Sequence, residues 1–249
     1  MKYIDDSLEI KEFLANEKAG KKVDTFILTR FNLHLWKKDK HNRNTLSNIW
    51  MEQRFELFEK YCFPSVMNQK DRNFIWLCLF DISTLCDYKT RIIEYSRRCP
   101  EFFPLFLDDT ETSDYTHYIT KVIKHLKNDN KILITIRLDN DDALNLDYVS
   151  NIRHCLDNIS ENTVILSFKY GIQYYVKEQI AVHIPFYNNH FLAMVDKMYD
   201  KDTIYQRKVQ HVLQFNHFDI KSYPYPFICN KKDRGGHVDG SYTRDKCQQ

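Results

Sequence analysis

The sequence predicts a single α/β domain in which helices cover a largely parallel sheet. Apolar runs of strand length alternate with helical patterns over residues 23–160, and this order is typical of a parallel sheet wrapped by helices. Three of the runs predict buried strands because apolar residues dominate them. They are Val23–Thr29, Phe74–Phe80 and Ile132–Ile136.

The first helix is expected between the first two strands. Ser47 can cap a helix that runs to about Tyr61, because its hydroxyl can accept from backbone N–H groups of the first turn. Pro64 then interrupts this helix or starts a short new one. Apolar residues at helical spacing form its buried face, namely Met51, Phe55, Phe58 and Cys62.

The elements expected between residues 90 and 160 continue the alternation. Pro100 sets the end of one helix, because the residue before a proline disfavours the helical conformation. The elements are a helix at Ile92–Cys99, a strand at Phe102–Leu107, a helix from Asp114 to Lys127 and a helix at Asp147–Ile159.

Beyond residue 160 the pattern changes. A strand at Val164–Tyr170 is followed by two short strands, Ile172–Val176 and Ile180–Phe186, which are expected to form a hairpin. A helix is expected near Phe191–Tyr199. We therefore divide the chain into a charged lead-in at residues 1–22, one domain at 23–230 and a frayed tail at 231–249.

Composition and charge argue against several classes of protein. The net charge is only +2 and no basic stripe dominates, which argues against a nucleic-acid partner. Seven cysteines without a CxxC pair indicate a reduced, cytoplasmic protein without a zinc site. The first residues are acidic, and no apolar run approaches the ~18 residues of a membrane span. The most basic stretch, Trp36–Arg43, is either a solvated loop or a loop that meets phosphates or an anionic membrane surface.

Three carboxylates, those of Asp139, Asp141 and Asp142, follow the third buried strand within four residues. Ligands of open α/β sheets bind beyond the carboxyl ends of the strands. Mutual repulsion destabilises such a cluster, and a divalent cation removes the repulsion. Mn²⁺ or Mg²⁺ binds oxygen ligands of this kind and completes its shell with substrate phosphates. Asp139 and Asp141 can share a cation or divide a cation and a ribose, whereas the alternative, an acidic turn that caps the next helix, needs only Asp142.

Three segments in the same order resemble the family-2 glycosyltransferases of the GT-A fold. Ile132–Leu144 resembles their strand and Leu-Asp-x-Asp-Asp metal motif, Ile27–Asn32 their first strand, and Pro64–Thr84 their Ser-Val-Leu-Asn-Gln helix end with the strand that follows. A closer resemblance is to a bacterial family named for rhamnosyltransferases, which shares Thr-Arg-Phe-Asn, Arg-Phe-x-Leu-Phe-Glu and Arg-Leu-Asp-Asn-Asp-Asp. Here these patterns are Thr29–Asn32, Arg54–Glu59 and Arg137–Asp142.

This resemblance implies a GT-A-like α/β fold with a nucleotide-sugar half at residues 23–160 and an acceptor half at 161–230. It also implies transfer of a sugar, L-rhamnose by the family's name, from a nucleotide diphosphate donor to a hydroxyl group. The expected donor is dTDP-rhamnose or a UDP-sugar, and the expected acceptor is a glycan or a lipid-linked glycan. Transfer with inversion, in surface polysaccharide synthesis, follows from the same resemblance.

The resemblance further implies roles for individual residues. The chain departs from the family-2 pattern after the second strand, where Asp81 is followed by Ile82 and no glycine, so that the turn there must differ. Arg30 or Arg137 either binds phosphate or only balances the acids. The remaining roles are Asp139, Asp141 and Asp142 for the metal, Thr29, Phe31, Asp81 and Asp139 for the nucleotide-sugar, Asp196 on the expected helix as the catalytic base, and His211 as a further metal ligand.

Two other functions stay open. A binding protein that keeps the fold without turnover is one, because the second half of the chain matches the family poorly. A sugar nucleotidyltransferase is the other, although that class needs a glycine-rich loop after the first strand and residues 31–44 contain no glycine. Contact of the protein with the inner membrane face also stays open.

Overall fold

A computed structural model describes residues 23–35, 38, 44–45, 47–108, 112–128, 132–159, 162–168, 170–185, 189–197, 217–220 and 227–231. The expectations for the lead-in, for His211 and for the tail after Lys231 lie outside these residues, as does most of the basic stretch. Within the described ranges, no helix is both long and apolar enough to cross a membrane.

The strands form a large central sheet and a small second sheet. In chain order they are β1 (Thr25–Arg30), β2 (Ile75–Asp81), β3 (Phe102–Leu107), β4 (Leu133–Arg137), β5 (Ala143–Leu144), β6 (Thr163–Phe168), β7 (Tyr170–Tyr175), β8 (Ile180–Pro185), β9 (Leu192–Asp196), β10 (His217–Ile220) and β11 (Phe227–Lys231).

The central sheet has seven strands in the order β10-β6-β9-β4-β1-β2-β3. Neighbouring strands are parallel except at β9, which runs antiparallel to both β4 and β6. The carboxyl ends of β1, β2 and β4 therefore meet at one edge of the sheet, which we call the carboxyl edge. This architecture confirms the predicted α/β class.

Helices cover both faces of the central sheet. Side chains of β1 and β2 alternate between two separate apolar clusters, as the two-residue repeat of a strand requires. One cluster contains residues of the helices before β2 and β3, and the other contains residues of the helix before β4. The helices are α1 (Asn48–Leu57), α2 (Phe63–Met67), α3 (Cys86–Arg98), α4 (Tyr115–Leu126) and α5 (Tyr148–His154).

The helical turns that begin after Ser47 run to Cys62, close to the expected end at Tyr61, and Pro64 lies in the first turn of a short new helix, which is one of the two outcomes expected for it. Ser47 is the N-cap, and its hydroxyl accepts from the Trp50 N–H at 3.4 Å. A π-helical turn at Phe58–Cys62 joins α1 to α2. Proline removes a helical hydrogen bond and crowds the carbonyl four residues earlier, and the wider π-turn just before Pro64 provides room for its ring.

The small sheet lies directly after the acidic segment in the chain. Its order is β5-β11-β7-β8. β7 and β8 form the predicted hairpin, with Tyr170 opposite Pro185. β5 begins at Ala143, the residue after Asp142, so the acidic segment connects the two sheets.

The prediction of a helix near Phe191–Tyr199 is wrong. Residues 192–196 form β9, which lies between two strands of the central sheet. The sequence FLAMVDKM is apolar at positions that suit one face of a helix. In the structure, successive side chains of residues 192–195 pack on opposite faces of the central sheet. Pairing with two neighbouring strands therefore outweighed the local helical pattern.

Candidate active site

The acidic segment forms a tight turn at the carboxyl edge, directly beyond β4. Leu138 continues the strand briefly, since its N–H donates to the Leu28 carbonyl at 3.1 Å. The Asp142 N–H then donates to the Asp139 carbonyl at 3.3 Å and closes the turn. Asn140 ties this turn to the end of β1, because its side-chain amide donates to the Phe31 carbonyl at 2.9 Å.

Each of the three carboxylates has a different cationic or ionisable partner. Arg137 contacts Asp139 at 3.2 Å. Arg54, from α1, contacts Asp141 at 2.6 Å. His190 Nε2 lies 2.8 Å from Asp142 Oδ2. The structure therefore gives Asp141 a partner of its own, apart from those of Asp139 and Asp142, which had been expected to act with it.

Burial and charge set opposite pKa shifts within this group. Burial raises the pKa of Asp139, but Arg137, His190 and Arg30 outweigh it, so that the pKa of this carboxyl is lowered. Burial raises the pKa of Asp142 to about 6 and outweighs the hydrogen bond from His190. Burial lowers the pKa of His190, but the hydrogen bond to Asp142 and the negative charges of Asp142 and Asp139 together outweigh it, and the net pKa is raised. Asp142 and His190 thus hold a proton between them more readily than either would alone.

Asp139, Asp142 and His190 could together hold a metal ion. Their ligand atoms all lie within 4.8 Å of one another. The 2.8 Å between His190 Nε2 and Asp142 Oδ2 is close to the roughly 3 Å that separates adjacent ligands of an octahedral ion with bonds of ~2.1 Å. Two carboxylates and one imidazole suit Mn²⁺ and Mg²⁺ in oxygen content, and the imidazole favours Mn²⁺. These residues fit the ion that the sequence predicts, with His190 in the place expected for Asp141.

The helical segment from α1 to α2 holds the acidic segment and its continuation along one side. The Cys62 thiol lies 3.6 Å from the Asp139 carbonyl. Ser65 accepts from the Leu144 N–H at 3.1 Å. Gln69 donates to the Asn145 carbonyl at 2.7 Å. The position of the carboxylates is therefore set by this helical segment as well as by β4.

Residues at the end of β1 divide between the core and the carboxyl edge. Thr29 is fully buried, and its hydroxyl accepts from Trp76 Nε1 at 2.9 Å. Phe31 packs in the aromatic core, with its ring centroid 4.6 Å from that of Phe55. Their side chains therefore serve packing, and the nucleotide contacts expected for these two residues stay a prediction. Arg30 is partly exposed, with its guanidinium 6.0 Å from the Tyr115 ring.

Asp81 ends β2 and organises the turn that replaces the Asp-Asp-Gly-Ser pattern. One of its carboxylate oxygens accepts from the Ser83 N–H at 2.8 Å. The side chain of Asn32 links this turn to β1, because it accepts from the Asp81 N–H at 3.2 Å and donates to Thr84 at 2.9 Å. Asp81 is only 3% exposed, so any contact with a ribose or base is limited to a small part of its carboxylate.

Asp196 lies at the opposite edge of the sheet from the acidic turn. It is the last residue of β9 and pairs with Leu133, the first residue of β4. The acidic turn follows the other end of β4, some 20 Å away at ~3.3 Å per residue. Asp196 is also 1% exposed. The expectation that it supplies the catalytic base is therefore wrong, and it fails because the segment is a strand instead of a helix.

The family model described as putative rhamnosyl transferase matches residues 28–233. The chain belongs to this family. The match includes the acidic turn, its partners Arg54 and His190, and most of both sheets. A search of curated proteins finds no match to the chain.

One solved structure supports the fold of this rhamnosyl transferase family member. The chain is similar to a crystal structure of S. aureus TarS 1–349 in complex with UDP-GlcNAc, at 12% identity and a TM-score of 0.50, over 88% of this chain and 61% of that one. A structure of S. aureus TarS matches at 9% identity and a TM-score of 0.49, over 84% of this chain and 37% of that one. The chain thus spans less than two thirds of either TarS chain. The family model shows the family, and the likeness to TarS, at 12% identity, supports the fold alone.

The structure adds residues that the sequence did not indicate for this site. His190 lies in a segment with no motif, and its role becomes visible only when β9 brings it beside the acidic turn. Arg54 and Asn32 stand inside the patterns shared with the family, but those patterns give no hint of what the side chains contact. Their hydrogen bonds explain why such residue types occur in these segments.

Proposed function

We propose that this rhamnosyl transferase family member is a metal-dependent glycosyltransferase that uses a nucleotide-sugar donor. The observation that carries the proposal is the convergence of Asp139, Asp142 and His190 at the carboxyl edge, with ligand atoms within 4.8 Å of one another. These three residues would hold Mn²⁺ or Mg²⁺. The ion, when bound, supplies positive charge that stabilises a leaving diphosphate.

The residues around this group suit a donor that carries a diphosphate. Arg137 is 24% exposed and bonds both carboxylate oxygens of Asp139 through Nε and Nη2, one edge of its guanidinium, so it fixes this carboxylate in one orientation. Arg30 ends the neighbouring strand β1 and adds positive charge on the same side, which is reflected in the lowered pKa of Asp139. Both guanidinium groups have the planar, forked geometry that favours phosphate oxygens.

The fold gives the nucleotide a place to bind. Ligands of open α/β sheets bind beyond the carboxyl ends of the strands, which here is the edge formed by β1, β2 and β4. TarS, which has a similar fold, is in complex with UDP-GlcNAc in one of its structures. Asp81, at the end of β2, is the acid at this edge that would contact the ribose or base.

The sugar follows from the family alone. The description of the family favours L-rhamnose from dTDP-rhamnose, and a UDP-sugar is the alternative donor. We propose a glycan or lipid-linked glycan as acceptor and transfer with inversion in surface polysaccharide synthesis, as the family resemblance implies.

A donor hydrolysis assay tests the proposal. Purified protein is incubated with dTDP-rhamnose, UDP-GlcNAc or a GDP-hexose, with Mn²⁺ or with EDTA, and release of the nucleotide diphosphate is measured. We expect hydrolysis of one donor with Mn²⁺ and none with EDTA. His190→Ala should abolish the metal-dependent release, whereas His154→Ala, at an exposed histidine of α5, should leave it unchanged.

The outcomes separate the parts of the proposal. Equal release with Mn²⁺ and with EDTA would remove the metal from the reaction. Use of a UDP-sugar in preference to dTDP-rhamnose would change the donor and leave the glycosyltransferase intact. Tight, metal-dependent donor binding without any turnover, even with added acceptor glycans, would favour the non-catalytic binding protein.

A further inference from the structure

The acidic turn is anchored by an arginine from another element of the fold. Arg54 Nη1 donates to Asp141 Oδ2 at 2.6 Å and to Asn140 Oδ1 at 3.1 Å. These two residues lie between Asp139 and Asp142 in the chain. Arg54 therefore bonds the middle of the turn, and the two ends of this turn carry the candidate metal ligands Asp139 and Asp142.

The arginine is itself held in place. Its guanidinium lies 5.2 Å from the ring centroid of Trp50, one helical turn earlier on α1. Stacking on an indole fixes the orientation of the guanidinium plane. The Arg54 side chain is 24% exposed, so its contacts with the turn are partly shielded from water.

A separate anchor holds the other face of the turn. Asn140 uses its carbonyl oxygen for Arg54 and its amide nitrogen for the Phe31 carbonyl. The turn is thus fixed between α1 on one side and β1 on the other. Asp141 pairs with Arg54, whereas the ligand atoms that lie within 4.8 Å of one another are those of Asp139, Asp142 and His190.

We infer that Arg54 is a positioning residue, which holds the turn so that Asp139 and Asp142 face His190 and can share one divalent cation. This inference rests on the proposed metal site. Arg54 touches neither of the two acids that would bind the ion, and it acts through Asn140 and Asp141. Partners of this kind, one step removed from a metal, typically change its affinity by about 10–100-fold when they are replaced.

Charge and position make opposite predictions for the loss of this arginine. Arg54→Met removes a positive charge close to the acids, so electrostatics alone would strengthen Mn²⁺ binding. Loss of the anchor would weaken it, because the turn could then place its carboxylates in many arrangements. The sign of the change in Mn²⁺ affinity therefore decides between the two effects.

The experiment is titration calorimetry of Mn²⁺ with the full chain. We expect Arg54→Met to weaken binding by about tenfold or more, and Arg54→Lys to restore part of the loss, because an ammonium group can reach one of the two acceptors without the stacked plane. The matched control is Arg91→Met. Arg91 has a similar exposure of 31% and pairs with Glu59 on the π-helical turn, away from the acidic turn, so Mn²⁺ affinity should not change.

Hydrogen exchange by mass spectrometry, without metal, completes the test. Peptides that contain residues 138–142 should exchange faster in Arg54→Met and Arg54→Lys than in the parent protein. If the parent binds Mn²⁺ and both variants bind it equally well or better, the inference is overturned while the metal site stands. If the parent does not bind Mn²⁺, the metal proposal fails, and unchanged exchange at the turn would then overturn the positioning role as well.

Discussion

Carboxylates lie beside arginine at both ends of the central strands, but the two groups differ in one partner. The end opposite the carboxyl edge is called the amino edge. At the amino edge, Arg153 of α5 contacts Asp24 and Asp71 and also donates to the Thr25 hydroxyl at 2.8 Å. The donor in this group is an arginine, which keeps its proton and its positive charge. At the carboxyl edge, Asp142 is paired with His190, whose proton can leave.

This difference distinguishes a structural ion-pair network from a candidate metal site. Arginine keeps its proton at any relevant pH and therefore offers no lone pair to a metal ion. A neutral imidazole has a free lone pair and is a common metal ligand. The presence of His190 between Asp139 and Asp142 is therefore more informative about function than the number of acids in the turn.

The largest effect is expected for Asp142→Asn. It should weaken Mn²⁺ binding by about 100-fold or more, because a ligand is lost instead of a more distant partner. It should not lower the Tm of the metal-free protein at pH 7. The pKa of Asp142 is about 6 in the folded protein, above the ordinary value of 3.8, so its ionised form costs stability at pH values above 6 and the neutral amide avoids that cost.

Differential scanning fluorimetry with EDTA and calorimetry with Mn²⁺ measure the two parts of this prediction. The counterpart at the amino edge is Asp24→Asn, which should lower the Tm and leave Mn²⁺ affinity unchanged. The comparison between the edges breaks down if the Asp24 variant loses Mn²⁺ binding, or if the Asp142 variant keeps it.

The second effect is on stability alone. Arg153→Met should lower the free energy of unfolding by about 2–4 kcal/mol, because it leaves Asp24 and Asp71 without their shared cation in a site that is only partly exposed. Urea denaturation measures this change. A loss below about 0.5 kcal/mol, within the range of exposed ion pairs, would show that the amino-edge network is a solvated surface cluster.

A smaller effect is expected for Asp141→Asn. Mn²⁺ affinity should fall by about fivefold or less, since a partly exposed pair contributes about 0–1 kcal/mol and the amide oxygen can still accept from Arg54. Calorimetry alongside the Asp142 variant gives the contrast. A loss as large as that of Asp142→Asn would return Asp141 to the metal ligands, as the sequence had predicted.

The smallest effect concerns a third network, in which Glu59 accepts from Arg91 and Tyr95. A hydrogen bond from Arg91 lowers the pKa of Glu59 below 4.5. The ionised carboxylate therefore stabilises the fold above pH 4.5, and this contribution is lost as pH falls through the lowered pKa. Glu59→Gln should reduce the Tm slightly at pH 7, and the difference from the parent should shrink towards pH 3. A difference that grows on acidification would contradict the assigned direction of the pKa shift.

The first half of the fold was largely predictable from the sequence, because its elements have a clear period. Phe102–Leu107 matches β3 residue for residue, and the runs that begin at Val23, Phe74 and Ile132 match β1, β2 and β4 within two residues at each end. These strands are apolar on both faces, which few other structures accommodate. By contrast, Leu192–Asp196 reads equally well as helix or strand, and only its two neighbouring strands decide the outcome.

The candidate site could be predicted only where it is local in the chain. Asp139 and Asp142 belong to one short motif, so their proximity follows from the sequence. His190 and Arg54 reach them from 48 and 87 positions away along the chain, measured to Asp142 and Asp141 respectively. No spacing rule covers such separations, because the chain geometry between them depends on the whole fold. For the same reason the pair of Asp141 with Arg54 could not be expected, and the role of Asp141 as a metal ligand stays a prediction.

The small sheet adds a kinetic consequence to this arrangement. β5 begins directly after the acidic turn and pairs with β11, so that Ala143 is opposite Ile228. This pairing joins residues 85 positions apart, and the pairing of β1 with β4 in the central sheet joins residues 109 positions apart. Contacts so distant in sequence cost loop-closure entropy before they stabilise the fold, whereas the hairpin of β7 and β8 closes locally. The hairpin should therefore form early in folding, and the strands on either side of the acidic turn should find their partners late.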